Sequence, residues 1–262
     1  MKKNLTIWGI VFLVLISGCE KKIPVEITKF TPQSEFIFIG TLQLKNSATL
    51  LVENNKNLAV VLVDKILYAP TIFNHWEKKQ ITVKLNDLEK FQQGEKAVFF
   101  TKSWLFSDEI AVVEIGSFKP ETLNDKELST QILSVKSQEQ DNHLKERLNK
   151  ADYVILGTIT GIQKSEAEPM VTEHDPQWMN AEIKVETVLK GNIKESTFTI
   201  SYPGSKDVMW MDVPKLKEGM DGIWILYAES QQGFKSPHPA IFTQGDFLNR
   251  EELNRCQKLI GK

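Results

Sequence analysis

Apolar and polar positions alternate over short stretches of this chain, and the stretches recur in order. Ser34-Glu35-Phe36-Ile37-Phe38-Ile39-Gly40-Thr41 is echoed by Ala151-Asp152-Tyr153-Val154-Ile155-Leu156-Gly157-Thr158. Each has a carboxylate, an aromatic, three apolar residues, a glycine and a threonine. Further matches follow: Val63–Leu67 with Val185–Leu189, Ile81–Lys84 with Phe198–Ser201, and Gly94–Phe100 with Gly219–Ile225. Last come Ala111–Glu114 with Ala240–Thr243, leading to Gly116-Ser117-Phe118 and Gly245-Asp246-Phe247. The runs are rich in β-branched and aromatic residues and are bounded by turn formers, which predicts strands. Matches in one order over five segments predict a duplication, with five strands per copy.

Five short strands in a small unit point to an OB-like barrel, because closure removes most exposed sheet edges. The glycine in each first strand fits, since a strand serving both halves of a barrel must bend sharply. An open sheet or a small sandwich of the same strands is the alternative. Between the copies, Lys119–Lys150 reads as helical. Pro120-Glu121 offers a start, Leu123, Leu128, Ile132, Leu133 and Val135 trace a stripe, and Leu144 and Leu148 follow at i, i+4. Asn249–Ile260 has the same character, with Leu253, Cys256, Leu259 and Ile260 on one face. The expected fold is mainly β with accessory helices: two tandem five-stranded OB-like barrels, each followed by a helix. The predicted segments are 34–118 and 151–247 for the barrels, 119–150 for the helical connector and 248–262 for the C-terminal helix.

The N-terminus has a different pattern. Met1-Lys2-Lys3-Asn4 is cationic, and the apolar run Leu5–Ile16 is shorter than the roughly 20 residues needed to cross a hydrocarbon core. That length suits the h-region of an export signal. Ile16-Ser17-Gly18-Cys19 resembles the lipobox of bacterial lipoproteins: an aliphatic residue, two small ones and a cysteine. The resemblance covers only the targeting segment. It implies a signal peptide over 1–18, cleavage before Cys19 and acylation there, with several chains giving a stable anchor where one is marginal. Glu20, rather than Asp, leans toward the outer membrane if the source is Gram-negative. The expected location is therefore the bacterial cell envelope, with the membrane as a partner through the N-terminal lipid. Residues 19–33, carrying Pro24 and Pro32, read as a lipidated terminus and tether.

Composition narrows the function. Over 262 residues, 32 Lys+Arg against 34 Asp+Glu give a formal charge of -2, and loss of Lys2 and Lys3 makes the chain more acidic. A general nucleic-acid binder needs a basic field, so no nucleic-acid partner is expected. Two cysteines make neither a disulfide framework nor a four-thiolate zinc site. Nucleophile-elbow, phosphate-loop, dinucleotide and His-Glu-x-x-His patterns are missing, so no catalytic residue and no cofactor is assigned.

Two constellations remain. His174 and Asp175, in the long loop between the first two strands of the second copy, form an imidazole and carboxylate metal site if the fold brings His238 to them. A solvated acidic loop is the alternative reading. Trp178 and Trp210 border the second copy's loops, where aromatics of OB-type barrels stack on ligands; Trp76 and Trp104 border the first. These rings could equally cap the barrel ends and be buried. Cys256 sits on an apolar helical stripe and reads as core, not as a nucleophile.

The expected function is a non-catalytic binding or adaptor module for an envelope protein, peptide or glycan. An envelope enzyme, such as a metal-assisted hydrolase using the second copy's loops, is the alternative. An inhibitor of the netrin-like type is the lesser one, because such domains rely on disulfides.

Overall fold

The recurring apolar runs form strands. A computed structural model describes residues 23–51, 56–106, 108–120, 124–166, 175–205, 207–228 and 235–261. The signal segment, Cys19 and His174 lie outside the described residues. The chain divides into two compact units, one ending at Lys136 and the other beginning at Ser137.

The first unit starts with α1 (Val25–Phe30), inside the segment read as a tether. Ile27 of α1 is fully buried, so this part of the chain belongs to the fold. Five strands follow: β1 (Phe36–Lys45), β2 (Leu58–Tyr68), β3 (Gln80–Lys84), β4 (Lys96–Phe106) and β5 (Ile110–Phe118). They close into a barrel in the order β1-β2-β3-β5-β4, with β4 returning to β1. All pairs are antiparallel except β3 with β5. Successive side chains point to opposite faces. Phe36, Phe38, Leu42, Phe99 and Val112 therefore join the interior cluster. Ile37, Ile39, Val98 and Phe100 pack on the outside with Ile27.

The helix α2 (Asp125–Lys150) completes that outer layer with Leu128, Ile132 and Val135. Leu133, read as part of the stripe, is 52% exposed. The helix starts later than Pro120 because Asn124 caps it. Asn124 Oδ1 accepts the Glu127 N–H (3.0 Å) and Glu127 Oε2 accepts the Asn124 N–H (3.3 Å), a reciprocal capping box. The boundary between the units falls within α2, and Leu144 and Leu148 of its second half enter the core of the second unit.

That second unit contains β6 (Tyr153–Lys164), β7 (Trp178–Lys190), β8 (Thr197–Pro203), β9 (Asp221–Leu226), β10 (Phe247–Asn249) and α3 (Leu253–Ile260). Its sheet runs β10-β9-β6-β7-β8 and is not a closed barrel. The expectation of two tandem closed barrels is therefore met by the first unit only.

Up to the fourth strand, the two units correspond residue by residue. Gly40 pairs with Val63 and Ala97, and Gly157 pairs with Val185 and Gly222. Register shifts in β1 at 37/38, 39/40 and 42/44 recur in β6 at 154/155, 156/157 and 159/161. Asp87 accepts the Glu89 N–H (3.1 Å) at a one-turn helix before β4, as Asp207 accepts the Met209 N–H (2.8 Å) before β9. The close approach at the first-strand glycine is also shared. A Cβ at Gly40 would lie 2.6 Å from Val61 Cγ1. At Gly157 it would collide with the Lys184 carbonyl oxygen.

The units part at the fifth strand. In the first, Val113 pairs with both Lys84 and Lys102. In the second, Ala240 bridges Ser201 in parallel and Tyr227 in antiparallel sense, as isolated bridges. Ala240 thus stands where Val113 does, two positions from the match read in the sequence. Ser117 pairs with Phe99, and Phe247 with Trp224. Val113 and Ser117 are four positions apart but Ala240 and Phe247 seven, so three residues are inserted. The insertion falls at the turn Gln244–Asp246, whose capping box links Thr243 and Asp246. Before Ala240, Pro237 and Pro239 replace strand residues, and proline lacks the N–H that a ladder needs.

Candidate functional site

In the first unit, β4 and β5 form a hairpin in which Ser103 pairs with Val112 and Leu105 with Ala111. Trp104 is the extra residue of a β-bulge, a device that re-aims a side chain and often sits beside functional sites. The residue is 39% exposed. The Lys84 ammonium, at the end of β3, lies over its ring at 5.2 Å from the centroid, a cation–π contact. At the preceding residue of β4, Glu35 Oε2 accepts the Ser103 N–H (3.0 Å). That bond, helped by the charges of Lys102 and Lys136, holds the Glu35 carboxyl below its ordinary range. Leu105, the next residue in β4, is also exposed. The result is a partly exposed aromatic ring with an ammonium over it, able to hold a sugar face or a peptide side chain.

The predicted ligand-binding rings lie elsewhere. Trp210 is fully buried and Trp178 nearly so; Trp178 meets Phe242 edge-on at 6.2 Å. Both belong to the core of the second unit, where they pack against its buried side chains. Trp76 is likewise buried. The sequence shows tryptophans at all these loop borders, but nothing in residue type marks the bulge that turns Trp104 outward.

Of the predicted metal ligands, His174 lies outside the described residues, Asp175 is half-buried and His238 is exposed. Among the described residues, no group of three or more His, Cys, Asp or Glu side chains is close enough to hold a metal ion. Cys256 is buried, and burial pushes its thiol up to about 11.

The polar side chains of the second unit brace its sheet. Arg250 bonds Asp221 (2.5 Å) and Glu186 (2.8 Å), and Asp221 also accepts the Thr158 hydroxyl (3.0 Å). The same positions in the first unit hold Lys96, Asp64 and Thr41: Thr41 donates to Asp64 at 2.6 Å, and Lys96 pairs with it at 3.7 Å. The cation has moved from the fourth strand to Arg250, but the cross-strand clamp is kept. The Lys215 ammonium donates to the carbonyls of Pro203 (3.2 Å), Ser205 (2.9 Å) and Trp210 (3.1 Å), pinning the turn that carries Trp210.

No protein-family model matches this chain, and none of the curated proteins matches it significantly. Among the described residues no helix is long and apolar enough to cross a membrane.

Proposed function

We propose that the chain is a lipid-anchored envelope protein that acts as a non-catalytic binding module for a protein, peptide or glycan. The observation that carries the reading is Trp104. A large ring is held partly open to solvent on a bulge of the β4–β5 hairpin, the kind of loop by which OB-type barrels take ligands. The Lys84 cation over the ring supplies a polar group of the kind that small-ligand and peptide sites use to fix orientation. The anchor rests on the lipobox resemblance at Cys19. We read the second unit as a diverged copy of the same OB-like barrel, opened where prolines and an insertion interrupt its fifth strand; the shared bulges, caps and glycine positions support that reading.

The full-length protein in detergent is probed with an array of envelope glycans and synthetic peptides. Ligands are expected to bind the native chain and to lose at least about tenfold in affinity with Trp104→Ala, the cost of a lost stacking ring. Unchanged binding by a folded Trp104→Ala variant rules out the platform. For the anchor, Cys19→Ser is expected to release the processed chain from the membrane fraction; a processed variant that stays in the pellet overturns lipidation.

A further inference from the structure

The second unit contains a cleft of about 370 Å3, lined by His143, Glu146, Arg147 and Lys150 of α2 with Tyr227, Thr243 and Asp246. His143, Arg147 and Lys150 stand at i, i+4 and i+7 and so share one helix face. Leu144 and Leu148 beside them are buried in the core, which fixes the direction of that face.

Charge in the cleft is unevenly spoken for. Glu146 is taken by Lys150 at 2.7 Å, and Glu139 lies 3.7 Å from His143. Asp246 is buried, and its oxygens are also engaged: Oδ2 accepts the N–H groups of Phe242 (2.9 Å) and Thr243 (2.8 Å), and Oδ1 accepts the Tyr227 hydroxyl (3.3 Å). Arg147 feels the charge of Asp246. Its guanidinium, however, makes no hydrogen bond or ion pair among the described residues. It is half-buried with a fork of donors facing a cavity.

Gly245 lies against the same guanidinium. A Cβ there would collide with Arg147 Nη1. Gly245 is not among the glycines of positive φ, so the backbone makes no demand for glycine. The bare Cα leaves room for the guanidinium to lie against the chain.

We propose that this cleft binds an organic oxyanion, a carboxylate or a phosphomonoester on a body of about monosaccharide size, with Arg147 as its bidentate partner. Planar guanidinium matches such groups with two parallel hydrogen bonds. The cavity falls in the size range of small-molecule sites, roughly 300–1,000 Å3, larger than a bare anion requires. Lys150 and the His143 imidazole add polar nitrogens at its edge, and the hydroxyl oxygens of Tyr227 and Thr243, which already bond Asp246, accept from the body of the ligand. The cleft is independent of the Trp104 platform and stands whether or not that platform binds.

Glucose 6-phosphate, galacturonate and glucose are titrated by calorimetry into the full-length protein in detergent. Saturable binding of one or both anions is expected, with none of glucose; the anion that binds identifies the headgroup. Arg147→Gln is expected to weaken it at least about tenfold, with Arg147→Lys between the two. Absence of saturable binding by either anion, or equal binding by a folded Arg147→Gln variant, overturns the proposal. Should that variant not fold, the Arg147 Nε resonance of the native chain decides. Its shift on titration supports the site, and binding without such a shift overturns it.

Discussion

Ser201 gives its N–H to the carbonyl of Pro239 at 3.0 Å, and Pro239 has no N–H to return to the strand. Ile241 does return one to Ser201 (3.3 Å), so the parallel ladder exists for one rung around Ala240. The next rung would require the N–H of residue 239 to reach Thr199. In the first unit the corresponding ladder runs over Thr82, Val83 and Lys84. Hydrogen exchange should therefore be slower at Val113 and Glu114 than at Ala240 and Ile241, by about fivefold per missing rung. Pro239→Val should gain a protected amide with little change in melting temperature. A hydrogen bond of about 1 kcal/mol is offset by roughly 0.4–1 kcal/mol of lost proline stiffening in the unfolded chain. If the new amide at position 239 of that variant exchanges without protection, the prolines are not what opens the sheet.

Gly157→Ala should cost more than Gly40→Ala. At Gly157 the added Cβ meets a backbone carbonyl, which moves only with its strand; at Gly40 the closest atom is a methyl of Val61. Overpacking costs typically about 1–3 kcal/mol, with Gly157→Ala expected at the upper end. Urea denaturation of the two variants checks the order, and equal losses would contradict the backbone-collision argument.

Two sets of carboxylates should pull stability in opposite directions with pH. Hydrogen bonds from Arg250 hold Asp221 and Glu186 below their ordinary range. Their contribution is present above the unfolded carboxylate range and lost as pH falls through the folded values. Asp246 is raised by burial, against the pull of the Phe242 and Thr243 N–H groups. Its contribution is fullest below the unfolded value and declines as pH rises through the folded one. Arg250→Met should thus be destabilising near about pH 7 and much less so near about pH 3. The gap should shrink in salt because the pair is partly exposed. Asp246→Asn should gain on the native chain as pH rises. A pH-independent difference for either variant would show that its carboxylates do not carry the effect.

With its thiol raised to about 11 by burial, Cys256 carries almost no thiolate at neutral pH. Thiol reagents should leave the native chain unmodified and label it only on unfolding. Cys256→Ser should cost about 1–3 kcal/mol by burying a hydroxyl in an apolar stripe. Rapid labelling of the folded protein would place the residue at the surface.

The first four strands of each unit, the fifth of the first and the two later helices were legible because they are local. Alternation, β-branched runs and repeated glycines are properties of neighbouring residues. Leu128, Ile132, Leu144 and Leu148 were readable as buried positions for the same reason. The Asn124 capping box, with Glu127 three residues on, was there to be found and marks the helix start better than Pro120.

What the amino-acid order determined was thus most of the β segments, their recurrence, the first-strand glycines and most of the apolar stripes, along with the lipobox resemblance. Tertiary structure alone decided closure, register and exposure. Whether a fifth strand completes a ladder depends on which residue faces Ser201, and that set Ala240 rather than Ile241 or Phe242 opposite it. Whether a tryptophan is core or surface depends on the register of its hairpin: one unpaired position in β4 turns Trp104 out, while a capped turn folds Trp210 in. Arg147 and Gly245 lie far apart in the chain, and only the fold presses one against the other. Burial and pairing are set by long-range contacts, and those residues carry no local sign of them.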